Sequence, residues 1–271
     1  MGTGPRHEIA NLKSAPGELS FDAKLSEGTH RVWMRSETPV QANADAALAT
    51  CLLPAMAIGG TLRAEDPVSP RILRMQREFQ AIQRAWSLDW DFASPLQEVE
   101  VEASPRAVGA PRRTGRVAAF FSGGVDSWAI VLENPQVTDL IFVRGFDLAL
   151  GGSDEVLGEP VEDRLREAAA ELGLTLHVVS TNLRQMSDRL AIWDSYFGCA
   201  VSAVALFMGE LFDRVLIAGD SDFEVQVRFG ASWLADQLWS REGLEIVDAG
   251  GRRSRMERIE SIASHPTVRR S

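Results

Sequence analysis

The second half of the chain alternates short apolar runs with amphipathic stretches. Four runs rich in Val, Ile, Leu and Phe predict strands over residues 116–121, 138–143, 175–180 and 214–218. Apolar residues at helical spacing predict helices between them, notably over 161–172 and 198–212. Strands that alternate with helices indicate βαβ units, and therefore a parallel sheet that is covered by helices on both faces. We predict an α/β domain over residues 116–271.

The preceding part of the chain has a mixed pattern. Its predicted elements are strands over 19–25, 30–35 and 96–102 and helices over 42–57 and 71–86. Gly59 and Gly60 follow the first of these helices, as glycines do at helix C-termini. The second helix follows Pro67-Val68-Ser69-Pro70, which is typical of a helix start. The pattern predicts a small α+β domain over residues 20–104.

Composition places the boundaries of these two domains. Residues 1–19 are rich in Gly, Pro and polar residues, which predicts a mobile tail. Residues 105–115 combine proline, glycine, small residues and arginines, which is typical of a linker.

Charge and length exclude several classes of protein. The net charge of −10 argues against a nucleic-acid partner, because that affinity comes from clustered Lys and Arg. The longest apolar run, 48–59, is far shorter than the ~20 residues that span a bilayer, and the first residues lack the order of a signal peptide. We therefore expect a cytoplasmic protein that does not enter a membrane. Two cysteines, Cys51 and Cys199, and four scattered histidines exclude a disulfide framework and a cysteine-built zinc site.

The segment Ser122-Gly123-Gly124-Val125-Asp126-Ser127 follows the first predicted strand of the parallel sheet and precedes a predicted helix. Two adjacent glycines let the backbone approach a ligand closely, and the helix amino terminus attracts anions. The two serines add hydroxyl donors, whereas an aspartate is useful beside a phosphate when it holds Mg²⁺. The segment predicts a phosphate-binding loop. The spacings of the Walker A and dinucleotide-binding motifs are both absent.

SGGVDS after an apolar strand resembles the signature of the PP-loop, or N-type, ATP pyrophosphatases. The nearer resemblance is to an uncharacterised bacterial group similar to 7-cyano-7-deazaguanine synthase. Segments 67–74, 142–148, 238–247 and 254–259 carry it, and only SGGVDS is highly specific. The resemblance implies a parallel sheet of the adenine nucleotide alpha hydrolase-like type, with ATP and Mg²⁺ as cofactors.

The resemblance also implies roles for single residues. The loop Ser122, Gly123, Gly124, Val125, Asp126 and Ser127 would grip the β- and γ-phosphates, and Arg144 and Asp147 would border the adenosine. Asp220 and Asp222 follow the fourth predicted strand of the parallel sheet, so we expect them to face Asp126 across the ligand crevice. We predict Asp126, Asp220 and Asp222 as magnesium ligands, and Asp126, Ser127 and Asp220 as catalytic residues. As a carboxylate on an exposed loop, Asp126 should be replaceable by Ala without loss of folding, at the cost of turnover.

Two features depart from the resembling families. The nearest group usually continues into a cysteine-rich, zinc-binding tail, whereas this sequence ends at Ser271, so we expect a short form. Several relatives place a lysine near pyrophosphate, whereas Lys13 and Lys24 are the only lysines here. An arginine would have to serve instead, and the candidates are Arg228, Arg252, Arg253 and Arg255.

The predicted activity is adenylation of a small-molecule carboxylate or carbonyl oxygen, with release of pyrophosphate and then amide or amine formation. A first alternative is ATP-dependent sulfur transfer through Cys199, which is predicted near a helix start that would lower its thiol pKa. A second alternative is a nucleotide-binding module without catalysis. A small-molecule substrate is expected, while an ammonia- or sulfur-donor protein and a homodimer stay open. Four aromatic residues are candidates for a substrate wall: Trp193, Tyr196, Trp233 and Trp239.

Overall fold

The computed structural model describes residues 4–88, 95–110, 112–147, 150, 153–219 and 230–269, with the backbone alone for residues 153–159. The strands of these residues are β1 (Arg6–Ala15), β2 (Glu18–Leu25), β3 (Gly28–Ser36), β4 (Gly60–Ala64), β5 (Val99–Glu102), β6 (Val117–Phe120), β7 (Asp139–Arg144), β8 (Thr175–Thr181), β9 (Arg214–Ile217) and β10 (Glu245–Asp248). The helices are α1 (Ala44–Ile58), α2 (Pro70–Ser87), α3 (Val125–Glu133), α4 (Ser153–Leu172), α5 (Arg184–Ser187), α6 (Trp193–Phe207) and α7 (Arg255–Ile262). No helix of this described part is long and apolar enough to cross a membrane.

All of these strands belong to one sheet with the order β10-β9-β6-β7-β8-β3-β2-β1-β4-β5. Pairing is parallel from β10 to β8, antiparallel from β8 through β3 and β2 to β1, and parallel again through β4 to β5. The protein is therefore an α/β protein with a large, mostly parallel sheet. The predicted α+β part and the predicted parallel part meet at the β3–β8 pair, where Ser36 lies opposite Val179.

Strand β1 corrects the prediction of a mobile tail over residues 1–19. It pairs with both β2 and β4, and it buries His7 and Ile9. Gly17 has a φ of 77° and forms the turn into β2, a conformation that glycine adopts without strain. The Gly and Pro residues that indicated a tail therefore flank a strand and do not interrupt it.

Helix α1 is apolar around its whole circumference and lies in the interior. It buries every residue from 44 to 56, as expected of a helix without a polar face. Asn43 begins it by accepting a hydrogen bond from the Asp45 backbone N–H, and Gly59, with a φ of 88°, ends it. The helix packs against α6, so the two parts of the chain share a hydrophobic core as well as a sheet.

The two faces of the parallel strands carry separate cores because successive strand residues point in opposite directions. Ala118 and Ile141 join the core formed with α1 and α6, whereas Ala119 and Leu140 join the core formed with α3, α4 and α7. Helices thus cover both faces, as the continuous apolar runs predicted.

A buried polar network lies at the amino ends of the parallel strands. Asp139 of β7 is 2.9 Å from Nε2 of His177 on β8, accepts hydrogen bonds from Arg116 and accepts one from Thr138 at 2.6 Å. Nδ1 of His177 lies 2.8 Å from the Thr38 hydroxyl, just beyond β3. Burial by itself raises the pKa of Asp139, but the hydrogen bonds from His177, Arg116 and Thr138 outweigh it and lower the pKa to about 2. The network ties the β3 segment to the parallel strands.

The strand order places a ligand crevice at the opposite, carboxyl ends of the parallel strands. Strand β6 lies between β7 and β9, so the chain reverses direction across the sheet at β6. Open parallel sheets bind ligands at the carboxyl ends of the strands at such a point. The predicted parallel sheet, with residues 122–127 at the carboxyl end of its first strand, is confirmed.

Candidate functional site

The loop that follows β6 has the backbone geometry of an anion cradle. Gly123 has a φ of 79°, and Gly124 is the extended N-cap residue of α3 without a side-chain cap. The Ser127 hydroxyl donates to the Gly124 carbonyl at 2.8 Å, which holds the turn in place. The first N–H groups of a helix have no partner within it, and they carry the positive end of its dipole. The loop therefore presents backbone donors at the crevice between β6 and β9.

A cavity of about 570 Å³ opens beside this loop, a size within the usual range for small-molecule sites. The ends of β6, β7 and β9 and the first turns of α3 and α6 line it. One wall is aromatic: the Phe146 and Trp193 ring centroids lie 5.2 Å apart, and those of Trp193 and Phe197 5.6 Å apart. The Arg184 guanidinium also stacks on Trp193, with its Cζ atom 4.2 Å from the ring centroid. The cavity thus joins an apolar, aromatic wall to the polar loop.

Of the four aromatic residues proposed from the sequence, Trp193 lines this cavity. Tyr196 points into the interior instead, where its hydroxyl donates to the Thr50 carbonyl at 2.8 Å. Trp239 is buried against Phe79, with ring centroids 4.9 Å apart. Trp233 is half-buried and is not among the described residues that line the cavity. The predicted wall is formed by Trp193 together with two phenylalanines that the sequence did not single out.

The two residues predicted to border the adenosine separate in the structure. Asp147 lines the cavity. Arg144 does not occur among the described lining residues, because its side chain forms an ion pair with Glu162 of α4 at 2.5 Å. The role of Arg144 beside the adenosine therefore stays a prediction. A further carboxylate, Asp194 at the start of α6, lines the cavity and was not predicted.

Asp126 lies in the first turn of α3, and each of its carboxylate oxygens accepts a hydrogen bond from an arginine of α7. Arg258 Nη1 donates to Oδ1 at 2.8 Å, and Arg255 Nη1 donates to Oδ2 at 2.8 Å. The Asp126 side chain is 15% exposed, the Arg258 side chain 2% and the Arg255 side chain 62%. Asp126 is therefore one member of a partly buried ion pair, which corrects the expectation of an exposed loop carboxylate.

Arg258 fastens the carboxyl ends of the strands around the loop. It donates to the Gly219 carbonyl after β9 at 2.8 Å, to the Gly250 carbonyl after β10, and to the Arg253 carbonyl at 3.2 Å. Sequence reasoning named Arg255 as a candidate but missed Arg258. The signal was present: Ser254 and Glu257 form a capping box that begins α7, and the i, i+3 spacing puts both arginines on one helix face.

The described residues do not form a magnesium site. Both Asp126 oxygens already accept hydrogen bonds from arginines, and no group of three His, Cys, Asp or Glu in the described part of the chain could hold a metal. The predicted ligands Asp220 and Asp222, like Arg228, lie outside the described residues. Magnesium binding by Asp126, Asp220 and Asp222 therefore stays a prediction.

Two of the segments that carried the resemblance contact each other and not the cavity. Ser69 caps α2 and donates its hydroxyl to Glu242 at 2.7 Å, and the Arg71 N–H donates to the same carboxylate at 3.1 Å. This contact joins the start of α2 to the turn before β10. Segments 67–74 and 238–247 are therefore structural here, while 142–147 and 254–259 reach the site; Leu148 lies outside the described residues.

No protein-family model, curated protein or solved structure matches this chain. A function of this chain is therefore inferred from its own residues, from the loop, the cavity and the charges around them.

The cysteines do not form a reactive site among these groups. Cys199 lies in the second turn of α6 and not at its start, and burial, with Asp236 nearby, raises the pKa of its thiol. Burial also raises the pKa of Cys51. Cys51 and Cys199 fall in different predicted domains, but the helices that carry them, α1 and α6, pack directly against each other.

Proposed function

We propose that this protein binds ATP in the cavity at the carboxyl ends of β6, β7 and β9 and adenylates a small-molecule acceptor. The observation that carries the proposal is the position of SGGVDS: it follows β6 at the point where strand order reverses and leads directly into α3. Backbone N–H groups at a helix start favour phosphate. In this arrangement residues 122–127 hold the β- and γ-phosphates.

The aromatic wall supports a purine-containing ligand. Phe146, Trp193 and Phe197 offer ring faces and edges for stacking at the end of the cavity formed by β7 and α6. Asp147 and Asp194, which line the same cavity, are acceptors for amino or hydroxyl groups of the nucleoside or of the acceptor molecule. One continuous cavity can thus take both the base and the phosphates.

The proposed reaction has two steps. A carboxylate or carbonyl oxygen of the acceptor attacks the α-phosphorus of ATP, the bond from that phosphorus to the oxygen bridging to the β-phosphate breaks, and pyrophosphate leaves. An amine or ammonia then displaces AMP and forms the amide or amine bond. The chain contributes positioning and backbone donors that stabilise the departing pyrophosphate.

A nucleotide-binding module without catalysis is the second candidate, and one observation favours it. Asp126, the predicted catalytic carboxylate, is held by Arg255 and Arg258. Sulfur transfer through Cys199 is disfavoured by its burial and raised pKa.

The test measures binding and products separately. ATP affinity is measured by calorimetry for the wild type, for Trp193→Leu and for the control Trp33→Leu, whose ring contacts Arg35 on β3. We expect about tenfold weaker ATP binding in Trp193→Leu only, since base stacking contributes roughly 1–3 kcal/mol. ATP labelled at the α-phosphate is then incubated with pools of carboxylic acids and amines, and AMP and pyrophosphate should form in equal amounts. ADP as the product would refute the proposal, and tight ATP binding without turnover would favour the second candidate.

A further inference from the structure

We propose that Arg255 is an exchangeable polyphosphate-binding residue: it holds Asp126 while the site is empty and transfers its guanidinium to the terminal phosphates of the ligand. The inference rests on the proposed function and assigns one residue that distinguishes ATP and pyrophosphate from AMP. The two arginines that contact Asp126 have unequal surroundings.

Arg258 cannot be the exchangeable partner. Its Nε, Nη1 and Nη2 all donate to acceptors, on Arg253, Asp126, Gly219 and Gly250, and its side chain is buried. Moving it would leave a buried charge and several carbonyl groups without partners. Arg258 therefore fixes Asp126 and stays in place.

Arg255 has the opposite character. Its side chain is 62% exposed, and its contact with Asp126 is a single 2.8 Å bond from Nη1. Exposed ion pairs are weak, and a guanidinium has five N–H donors in a planar fork that suits phosphate. Exchange of one carboxylate for a phosphate would cost little and would gain a more highly charged partner.

The position of the contact brings Arg255 to the cradle. Asp126 lies in the first turn of α3, within two residues of Gly124, so a guanidinium bonded to it stands at the rim of the phosphate-binding loop. A polyphosphate in the loop would be repelled by the Asp126 carboxylate. Arg258 neutralises that carboxylate, and Arg255 adds the net positive charge that an anion requires.

Calorimetry with pyrophosphate, ATP and AMP on the full chain tests the inference. Arg255→Ala should weaken pyrophosphate and ATP binding at least tenfold and change AMP binding less than twofold, while Arg255→Lys should recover part of the loss. Arg214→Ala is the matched control, since it removes the same charge from an exposed ion pair, with Glu245, at the amino ends of the strands and away from the loop. It should bind all three ligands as the wild type does.

Two results would overturn the inference while leaving the proposed function intact: unchanged pyrophosphate binding in Arg255→Ala, or an equal loss of AMP and pyrophosphate binding. A wild-type protein that binds neither ATP nor pyrophosphate would overturn both. Because Arg255 is exposed, its variants should melt within about 2 °C of the wild type, which separates loss of binding from loss of folding.

Discussion

Replacing Asp126 by Ala should destabilise the protein, because the carboxylate is the only acidic partner that the structure shows for the buried Arg258 side chain among the residues it describes. Removing one member of a buried ion pair costs about 3–5 kcal/mol, since the other charge stays in the interior. Here Arg258 keeps three carbonyl acceptors and Asp126 is 15% exposed, so we expect a smaller loss of about 2–3 kcal/mol. For a chain of this size that corresponds to a decrease in Tm of roughly 5–10 °C.

The assay compares thermal unfolding of Asp126→Ala, Asp126→Asn and Arg255→Ala by circular dichroism. Asp126→Asn keeps an oxygen acceptor and should lose about half as much stability. Arg255→Ala breaks the exposed contact of the same carboxylate and should cost less than about 1 kcal/mol. Equal, small changes in Tm for Asp126→Ala and Arg255→Ala would refute the reasoning that the buried arginine sets the cost.

Three further predictions concern other parts of the structure. The pKa of Asp139 is lowered from 3.8 to about 2, so its stabilisation is complete above pH 3.8 and is lost as the pH falls towards 2. As the pH falls between those values, the free energy of unfolding of the wild type, measured by urea titration, should decrease by about 2 kcal/mol more than that of Asp139→Asn. Parallel pH profiles of the two proteins would contradict this. Cys199→Ser should retain at least about half of the pyrophosphate release, because the thiol is buried; complete loss with unchanged ATP binding would instead indicate sulfur transfer. Gly123→Ala should cost about 1–2 kcal/mol and weaken ATP binding, because φ is 79° and the new Cβ would lie 3.0 Å from Leu165 Cδ2. Gly124→Ala is the control, because Gly124 has a φ of −75°. Its free energy of unfolding should lie within about 1 kcal/mol of the wild-type value.

Local pattern was sufficient for the elements that are strongly apolar. The predicted runs 116–121, 138–143, 175–180 and 214–218 correspond to β6, β7, β8 and β9 within one or two residues. Helix α1 was also predicted closely, because a helix that is apolar on all sides can only be buried. Three strands were missed, β1, β4 and β10, because polar residues interrupt their apolar pattern.

The loop 122–127 was predicted correctly in position because a strand, a glycine pair and a helix are all local features. The pairing of Asp126 with two arginines was not predicted. Whether Asp126 is open or paired depends on α7, which lies about 130 residues further along the chain and reaches the loop only because α3 and α7 pack on the same face of the sheet. No pattern around residue 126 contains that information.

The sequence by itself determined a parallel α/β sheet and a glycine-rich loop at the carboxyl end of its first strand, because hydrophobic period and backbone freedom are properties of neighbouring residues. Only the tertiary structure decided that the two predicted domains share one sheet, that Arg144 pairs with Glu162, and that Arg255 and Arg258 hold Asp126. These are contacts between residues far apart in the chain. Their energies depend on burial and on the direction of side chains, which are set when the helices pack against the sheet.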